Sequence, residues 1–496
     1  MKKLTNVMIA LTLGVSAVNA SPVAVDVAQA TASSFYGQKS ATVVSATTLV
    51  QTETNAAGTA LYYVFNINQN DGFVIVSADN AASPVIGYST SGQYVLPAKG
   101  TNMEFWMNLR KNELNSIITN NVKATDAINV EWASYSDSKT DRSVHKAMST
   151  GTQLVQSTWD QQEPPYPYNY FMPPTTTGST SSNQSVTGCV ATAMAQIMRY
   201  WQYPAKGSGS HSYCDCTSGG YTDNWGTLSA SFTHTYNWSA MPLAPTKTSK
   251  VSTADTDIAR LMYDCGVSVE MDYDPNGSGA YVTTADNPGG ACAQVSFVQY
   301  FLYDANTIRN VQYPMSSEQA WIDTIENEFN NNRPVEYAGD DPSDGGHTWV
   351  CDGNDNTTPY NQLHMNWGWS GTDDGYFLVT SLNPSSLGGG SFSQNLEALI
   401  GIQPPGGKPT AVANISQENG VSVYPNPNNG SFTIDMNNVK GSHQLSVFNV
   451  LGQNVLNTTL SEGKNEVNFT QIPGMYFYRV LSYDNQMVSE GKLIVK

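Results

Sequence analysis

Two segments far apart in the chain carry residues able to do nucleophilic chemistry together. In the first, TGCVATAMAQIMRYW at residues 187–201, apolar side chains fall at Val190, Ala193, Met194, Ile197 and Trp201. That is the spacing of a helix with one buried face, and Pro204 marks its end. Cys189 sits on the first turn, where unpaired backbone N–H groups and the positive end of the helix dipole favour a thiolate. A nucleophile with a lowered pKa is the expectation. Gly188 leaves room for a substrate backbone, and the Cys189 N–H can face a developing oxyanion. A lone thiol is more commonly a buried structural one, so a base must be found as well.

The chain has six histidines. His145 precedes this region, His211 and His234 lie in Ser/Thr/Gly-rich sequence, and His443 belongs to a C-terminal segment. His347 in GGHTWVCDG and His364 in LHMNWGWSG remain, the second two residues before Asn366. Cys189, His347 and Asn366 follow the chain order of papain-like proteases. There an imidazole takes the thiol proton and an amide oxygen holds the imidazole in the productive tautomer.

Four blocks, TGCVATAMAQIMRYWQYPAKG, VSVEMDYDPNGSG, GGHTWVCDG and HMNWGWSGTDDGYF, resemble streptopain, the C10 group of papain-like cysteine peptidases. The resemblance implies Cys189 as nucleophile, His347 as base, Asn366 as its orienter and Trp367 as a shield over that hydrogen bond. It also implies a secreted endopeptidase acting through an acyl-enzyme, with an extended groove, an apolar pocket at the second residue before the cut, and Gly346 against the substrate. WDQQEPPYPYN resembles the segment bearing the oxyanion glutamine, for which Gln161 is the best match and Gln162 the alternative. Two departures, extra prolines and tyrosines after that Gln and the longer stretch AYVTTADNPGGACAQ, fall in expected substrate-facing loops. The competing reading is a surface binding or adhesion protein on a degenerate peptidase scaffold.

The rest of the chain must position, cover and export this site. MKK, an apolar run from Leu4 to Val18 and Val18-Asn19-Ala20 read as a signal peptide over 1–20, too short to anchor in a membrane. Residues 21–146 alternate like antiparallel strands and then show helical periodicity in EFWMNLRKNELNSIITN. They resemble the streptopain propeptide, which implies an inhibitory cover, with a polar connector around Arg142 and Lys146 as the place of cutting. The peptidase is expected over 147–404 and a Gly/Pro-rich linker over 405–418. A β-sandwich over 419–496 resembles, in YPNPNNG and GKLIVK, the type A sorting domain of the type IX secretion system. The expected class is therefore α+β: a two-part peptidase with a helical part bearing the Cys and an antiparallel sheet bearing the His. An α+β propeptide precedes it and an all-β sandwich follows.

Composition agrees with export. Charged residues are only 13% of 496, and 23 Lys plus Arg against 41 Asp plus Glu give a net charge of -18, which argues against a nucleic-acid partner. Expected partners are protein or peptide substrates, the chain's own propeptide and the type IX machinery, at the cell surface or outside after passage through the periplasm. No cofactor or metal is expected. DYDPNG has Thr283 where a calcium loop needs Glu, and Cys214-Asp215-Cys216 with His211 crowds a zinc site. Six cysteines in so long a chain are too sparse for a disulfide-stapled scaffold, and Cys351 is expected to pack in a core.

Overall fold

The computed structural model describes residues 20–40, 42–136, 153–161, 168–173, 184–222, 224–245, 253–313, 315–341, 345–355, 362–379, 382, 396–407, 421–426, 428–436, 441, 443–449, 454–469, 472–482 and 487–496. Most of the signal segment, the connector around Arg142 and Lys146, Gln162 with the prolines after it, and most of the linker lie outside the described residues.

The first unit, Met1–Gly407, opens with helix α1 (Val25–Lys39) and strands β1 (Thr47–Thr54), β2 (Ala60–Ile67), β3 (Gly72–Ser77) and β4 (Val85–Ser89). Helices α2 (Asn102–Thr119) and α3 (Asp126–Ser136) follow. Thr101 starts α2, its hydroxyl accepting from the Glu104 N–H while Glu104 reaches back to the Gly100 N–H, a capping box. Next come α4 (Cys189–Trp201), the hairpin β5 (Ser210–Asp215) and β6 (Gly226–Ser231), α5 (Thr253–Ser268) and α6 (Ala293–Gln299). The last part is β7 (Arg309–Gln312), α7 (Glu318–Asn330), β8 (Val335–Asp341), β9 (Gly345–Asp355), β10 (Gln362–Asn366), β11 (Gly375–Leu378) and β12 (Leu396–Ile400).

Among the described residues, one antiparallel sheet of ten strands runs through the unit in the order β1-β2-β3-β4-β11-β10-β9-β8-β12-β7. The N-terminal region, which the sequence suggests as a separate unit, joins it edge to edge: Tyr88 pairs with Tyr376 and Gly87 with Phe377. Gly87 permits the close approach, since a Cβ there would lie 2.5 Å from the Phe377 ring. At the same junction the Asp355 carboxylate, fully buried, takes Lys39 at 2.8 Å and the Tyr88 hydroxyl at 2.5 Å. Buried charges need such partners.

The sheet divides two cores. On one face α2 packs Phe105, Trp106 and Met107 against Trp349, Cys351, Met365 and Trp367, so Cys351 is a core residue. On the other face α4 and α5 pack against Ala338, Val350 and Leu399.

The second unit, Lys408–Lys496, holds β13 (Val421–Tyr424), β14 (Ser431–Met436), β15 (His443–Asn449), β16 (Asn454–Leu460), β17 (Gly463–Asn468), β18 (Gly474–Ser482) and β19 (Met487–Val495). They form sheets β13-β14-β17 and β16-β15-β18-β19 around Phe432, Ile434, Leu445, Val447 and Leu493, a small all-β sandwich. Among the described residues no helix is long and apolar enough to cross a membrane.

Candidate active site

Cys189 is the first residue of α4, whose Val190, Ala193, Met194 and Ile197 are buried as their spacing requires. No side chain caps this helix start. The chain enters it through Gly188 at φ 86°, where a Cβ would meet the Met271 side chain at 2.6 Å and the Ser278 carbonyl at 3.1 Å. Glycine is therefore required both by backbone and by space. The Thr192 hydroxyl locks the turn by donating to the Gly188 carbonyl at 3.0 Å.

Strand β9 brings the other half of the site. Its residues alternate between faces, so Trp349 and Cys351 join the α2 core and Val350 the α4 core. Thr348 falls on the α4 face, opposite Ala338, where its backbone N–H and side chain act on the Cys189 thiol to favour the thiolate. His347 falls on the other face, where its ring stacks on Phe105 of α2 with centroids 4.8 Å apart and planes 28° from parallel. Burial pushes the Cys189 thiol up, and the bonds from Thr348, Val190 N–H and its own N–H only partly oppose this. This corrects the expected lowered thiol: in this form the helix start is outweighed by desolvation, while the imidazole is held against another partner.

Asn366 pairs in register with Val350 and lies on the α4 face. Its Oδ1 accepts from Gln196 Nε2 at 2.9 Å and the Gly368 N–H at 3.2 Å, and its Nδ2 donates to the Ser157 carbonyl at 2.7 Å. The structure thus does not bring Asn366 to His347, because the two face opposite sides of the sheet. Trp367 is fully buried on the His347 side, donating its indole N–H to the Asp373 carbonyl and packing against Trp349 at 5.3 Å. The Gln161 carbonyl accepts from the Thr187 N–H at 2.9 Å, which sets Gln161 beside the approach to Cys189. Gly346 is exposed and lines the cleft with Cys189 and His347. His364 is elsewhere, buried in an ion pair with Asp352 at 2.6 Å whose other oxygen holds the Val155 N–H.

Two residues that matter here were missed by sequence reasoning. Asn102, in the first turn of α2, donates from one Nδ2 to the Thr348 carbonyl at 2.7 Å and the Trp367 carbonyl at 2.8 Å. It clasps the strands on either side of the site, one residue from His347 and one from Asn366. Phe105, one turn on, holds the imidazole. The capping box Thr101-x-x-Glu104 could have located that first turn, though not what it touches.

Small-ligand sites run from about 300 to 1,000 Å³, and the cleft beside Cys189, at ≈ 460 Å³, extends over Val282, Ala338 and Glu397. The calcium-like segment is a turn: Asp274 caps the Asn276 N–H at 2.6 Å and Asp272 caps Thr222. Cys214 and Cys216 are joined as a disulfide, while His211 pairs with Glu270 at 2.9 Å. Among the described residues no group of three or more His, Cys, Asp or Glu is placed to hold a metal ion.

Comparison with known proteins gives these parts a context. Residues 20–114 match the Spi protease inhibitor family, 159–377 the Peptidase C10 family and 422–496 the secretion system C-terminal sorting domain. The thiol protease/hemagglutinin PrtT of Porphyromonas gingivalis is 32% identical over 423 residues, 82% of this chain but 44% of that protein. The chain thus spans less than half the length of PrtT. Streptopain of Streptococcus pyogenes is 33% identical over 355 residues, 69% of this chain and 80% of that protein. A prointerpain A fragment of Prevotella intermedia superposes with a TM-score of 0.54 at 28% identity, covering 72% of this chain and 99% of the fragment. A likeness that extends from the N-terminal helices through both halves of the cleft places the chain in the peptidase C10 family, as a cysteine peptidase with its propeptide and a sorting tail.

Proposed function

We propose that the chain is a cysteine endopeptidase in a latent state, and that α2 keeps it latent by holding His347 off the thiol. The observation that carries this reading is the opposed placement of adjacent residues of β9: Thr348 on the α4 face, where Cys189 lies, and His347 stacked on Phe105 of α2. Once the α2 region leaves, the ring loses its stacking partner and Asn102 no longer clasps the Thr348 and Trp367 carbonyls. Gly345 and Gly346 immediately before His347 let that end of β9 turn the ring to the α4 face, on which Cys189 and Asn366 already lie.

The chemistry is then acyl transfer. His347 takes the Cys189 proton, and the thiolate attacks the scissile carbonyl. Gln161 and the Cys189 N–H stabilise the oxyanion, and the imidazolium gives its proton to the leaving amine. Water, deprotonated by His347, releases the acyl group and restores the thiol. Asn366 orients His347 in the active form, Trp367 shields that contact, and Gly346 lines the substrate path.

The propeptide is read as 21–146 and the peptidase as 147–404, with cutting in the connector around Arg142 and Lys146. Residues 1–20 direct export and 419–496 engage the type IX machinery after passage through the periplasm, which leaves the enzyme secreted or on the outer surface. Its substrates are proteins. Casein hydrolysis by the full-length protein, after incubation has removed the propeptide, tests the reading. Activity should be abolished by iodoacetamide and absent in Cys189→Ala. Undiminished cleavage by Cys189→Ala would refute it.

A further inference from the structure

Helix α4 carries a buried amide about two turns beyond Cys189. This is Gln196, which is fully enclosed and whose carboxamide reaches two other parts of the site. Its Oε1 accepts from the Ser157 hydroxyl at 3.0 Å and from the Trp159 N–H at 3.2 Å, in the segment that leads to Gln161. Its Nε2 donates to Asn366 Oδ1 at 2.9 Å, at the end of β10. One side chain on the nucleophile helix thus ties down both the strand that bears Asn366 and the segment that bears Gln161.

Backbone partners fix which end of each carboxamide is nitrogen. The Ser157 carbonyl can only accept, so it takes Asn366 Nδ2 at 2.7 Å, and the Gly368 N–H can only donate, so it takes Asn366 Oδ1 at 3.2 Å. The Trp159 N–H fixes Gln196 Oε1 in the same way. Gln196 Nε2 is the end left to face Asn366, and it meets an oxygen. A donor thus opposes an acceptor at each of these contacts.

Packing alone does not call for an amide at this position. The buried residues of α4 are otherwise apolar except for Thr192, which bonds back to the Gly188 carbonyl. Burying a carboxamide among them costs desolvation that hydrogen bonds must offset, and an apolar side chain of the same volume would avoid that cost. The bonds that Gln196 makes run to the parts of the site that lie off its own helix.

We infer that Gln196 is a positioning residue for the peptidase reaction, which holds Asn366 with its oxygen turned toward donors and keys the Gln161 segment to the helix of Cys189. This rests on the peptidase reading above, in which Asn366 orients His347 by accepting from its ring. A carboxamide turned over by 180° would offer the imidazole an NH2 group in place of that oxygen. Gln196 opposes the turn, because it would set Asn366 Nδ2 against Gln196 Nε2, donor against donor.

The test compares full-length wild type, Gln196→Glu and Gln196→Met, each matured by wild-type enzyme on beads that are then removed, with labelled casein as substrate. Glutamate keeps the shape of glutamine. Protonated, its hydroxyl can still donate to Asn366 Oδ1; ionised, it sets an oxygen against that oxygen, and burial places its pKa above the usual carboxylate range. The kcat of Gln196→Glu should therefore match wild type near about pH 5 and fall to a tenth of it or less by about pH 8, with KM within about twofold. Gln196→Met keeps the volume and loses the bonds, so its kcat should be about tenfold or more below wild type at both pH values, again with little change in KM. Melting curves at each pH confirm that the variants are folded. A ratio of Gln196→Glu to wild type that stays flat with pH would overturn the inference, as would a wild-type kcat in Gln196→Met. If Gln196→Glu melts below the assay temperature at the upper pH, the kcat and KM of Gln196→Met decide. If wild type cuts casein and the variants match it, this inference alone falls; if wild type cuts no casein, the peptidase reading falls and takes the inference with it.

Discussion

Helices α2 and α4 lie on opposite faces of strand β9 and act on neighbouring residues to opposite effect. The α4 helix is buried along nearly its whole length, and its first residue meets Thr348. The α2 helix presses Phe105 and Trp106 into the other face, where His347 and Trp349 lie. Both contacts are well packed, yet they differ in what else ties the helix down. The α4 helix belongs to a core built with α5 and β8, whereas α2 belongs to the N-terminal region, joined to the peptidase strands by the short β4–β11 pairing and by side chains such as Asn102 and Lys39. Under the proposed reading, a nucleophile fixed to a permanent element and a base held by a removable one would together make a latent enzyme without altering either residue.

The largest effects should come from the two reacting groups. Cys189→Ala should lower casein hydrolysis by a factor on the order of 10⁴ or more and accumulate as an uncut chain that added wild-type enzyme trims. His347→Ala should match it. Mass spectrometry of the new N-terminus reads both results. Maturation of pure Cys189→Ala unaided would show that the cut is made by something else.

Loosening α2 should act in the other direction. Phe105→Ala removes the ring under His347, and truncating a buried Phe typically costs about 3–5 kcal/mol. Asn102→Ala leaves two buried carbonyls short of a donor, about 1–3 kcal/mol. Each variant should shorten the time to maturation by roughly tenfold or more, Phe105→Ala the most, followed on a gel from the moment of dilution. An unaltered time course in both would break the contrast between the helices.

The two helices were not equally legible in sequence. The periodicity around Cys189 predicts α4, and the structure has it at Cys189–Trp201. The helical pattern of EFWMNLRKNELNSIITN is likewise realised in α2, yet its partner was hidden. The β4–β11 junction joins Gly87 and Tyr88 to Tyr376 and Phe377 through backbone, and backbone pairing leaves no side-chain pattern to read. Position on a face decided the rest. His347 and His364 are equal by residue type, and only strand register separates the one at the cleft from the one sealed against Asp352. The lowered thiol does not hold in the uncut form, because helix position was visible in the sequence and the desolvation around Cys189 was not.

Positioning on the α4 side gives an intermediate effect. Gly188→Ala forces a Cβ to within 2.6 Å of Met271 at a positive φ. The displaced helix start should cost about 10²-fold in kcat, with less change in KM. Asn366→Ala should cost less than His347→Ala, leaving measurable turnover, since the role proposed for it in the active form is orientation. Equal and complete loss in a folded Asn366→Ala would deny it that role.

The smallest effect is pH dependence. Burial raises Asp373 and Asp374 to about 7 and Glu131 to about 8. A group whose folded pKa is raised contributes stability that is complete below its unfolded value and is lost as pH rises through the folded value. The uncut chain should therefore be most stable near pH 4–5 and lose melting temperature up to about pH 8, by on the order of 5 °C. Asp373, which accepts the Val95 N–H at 2.8 Å, lies where the N-terminal region meets the peptidase. Asp373→Asn should flatten the slope; a melting temperature that rises over this range would contradict the assignment.

The most direct measurement is the rate of Cys189 alkylation by iodoacetamide against pH, first on freshly purified uncut chain and then on the same protein after the cut. Before cutting, burial raises the thiol, so alkylation should be slow and should rise only above the range of an ordinary thiol near pH 8.5. After cutting, with His347 released to the α4 face, the rate should jump and stay high well below pH 7. The same profile before and after would contradict the claim that α2 withholds the base from the nucleophile.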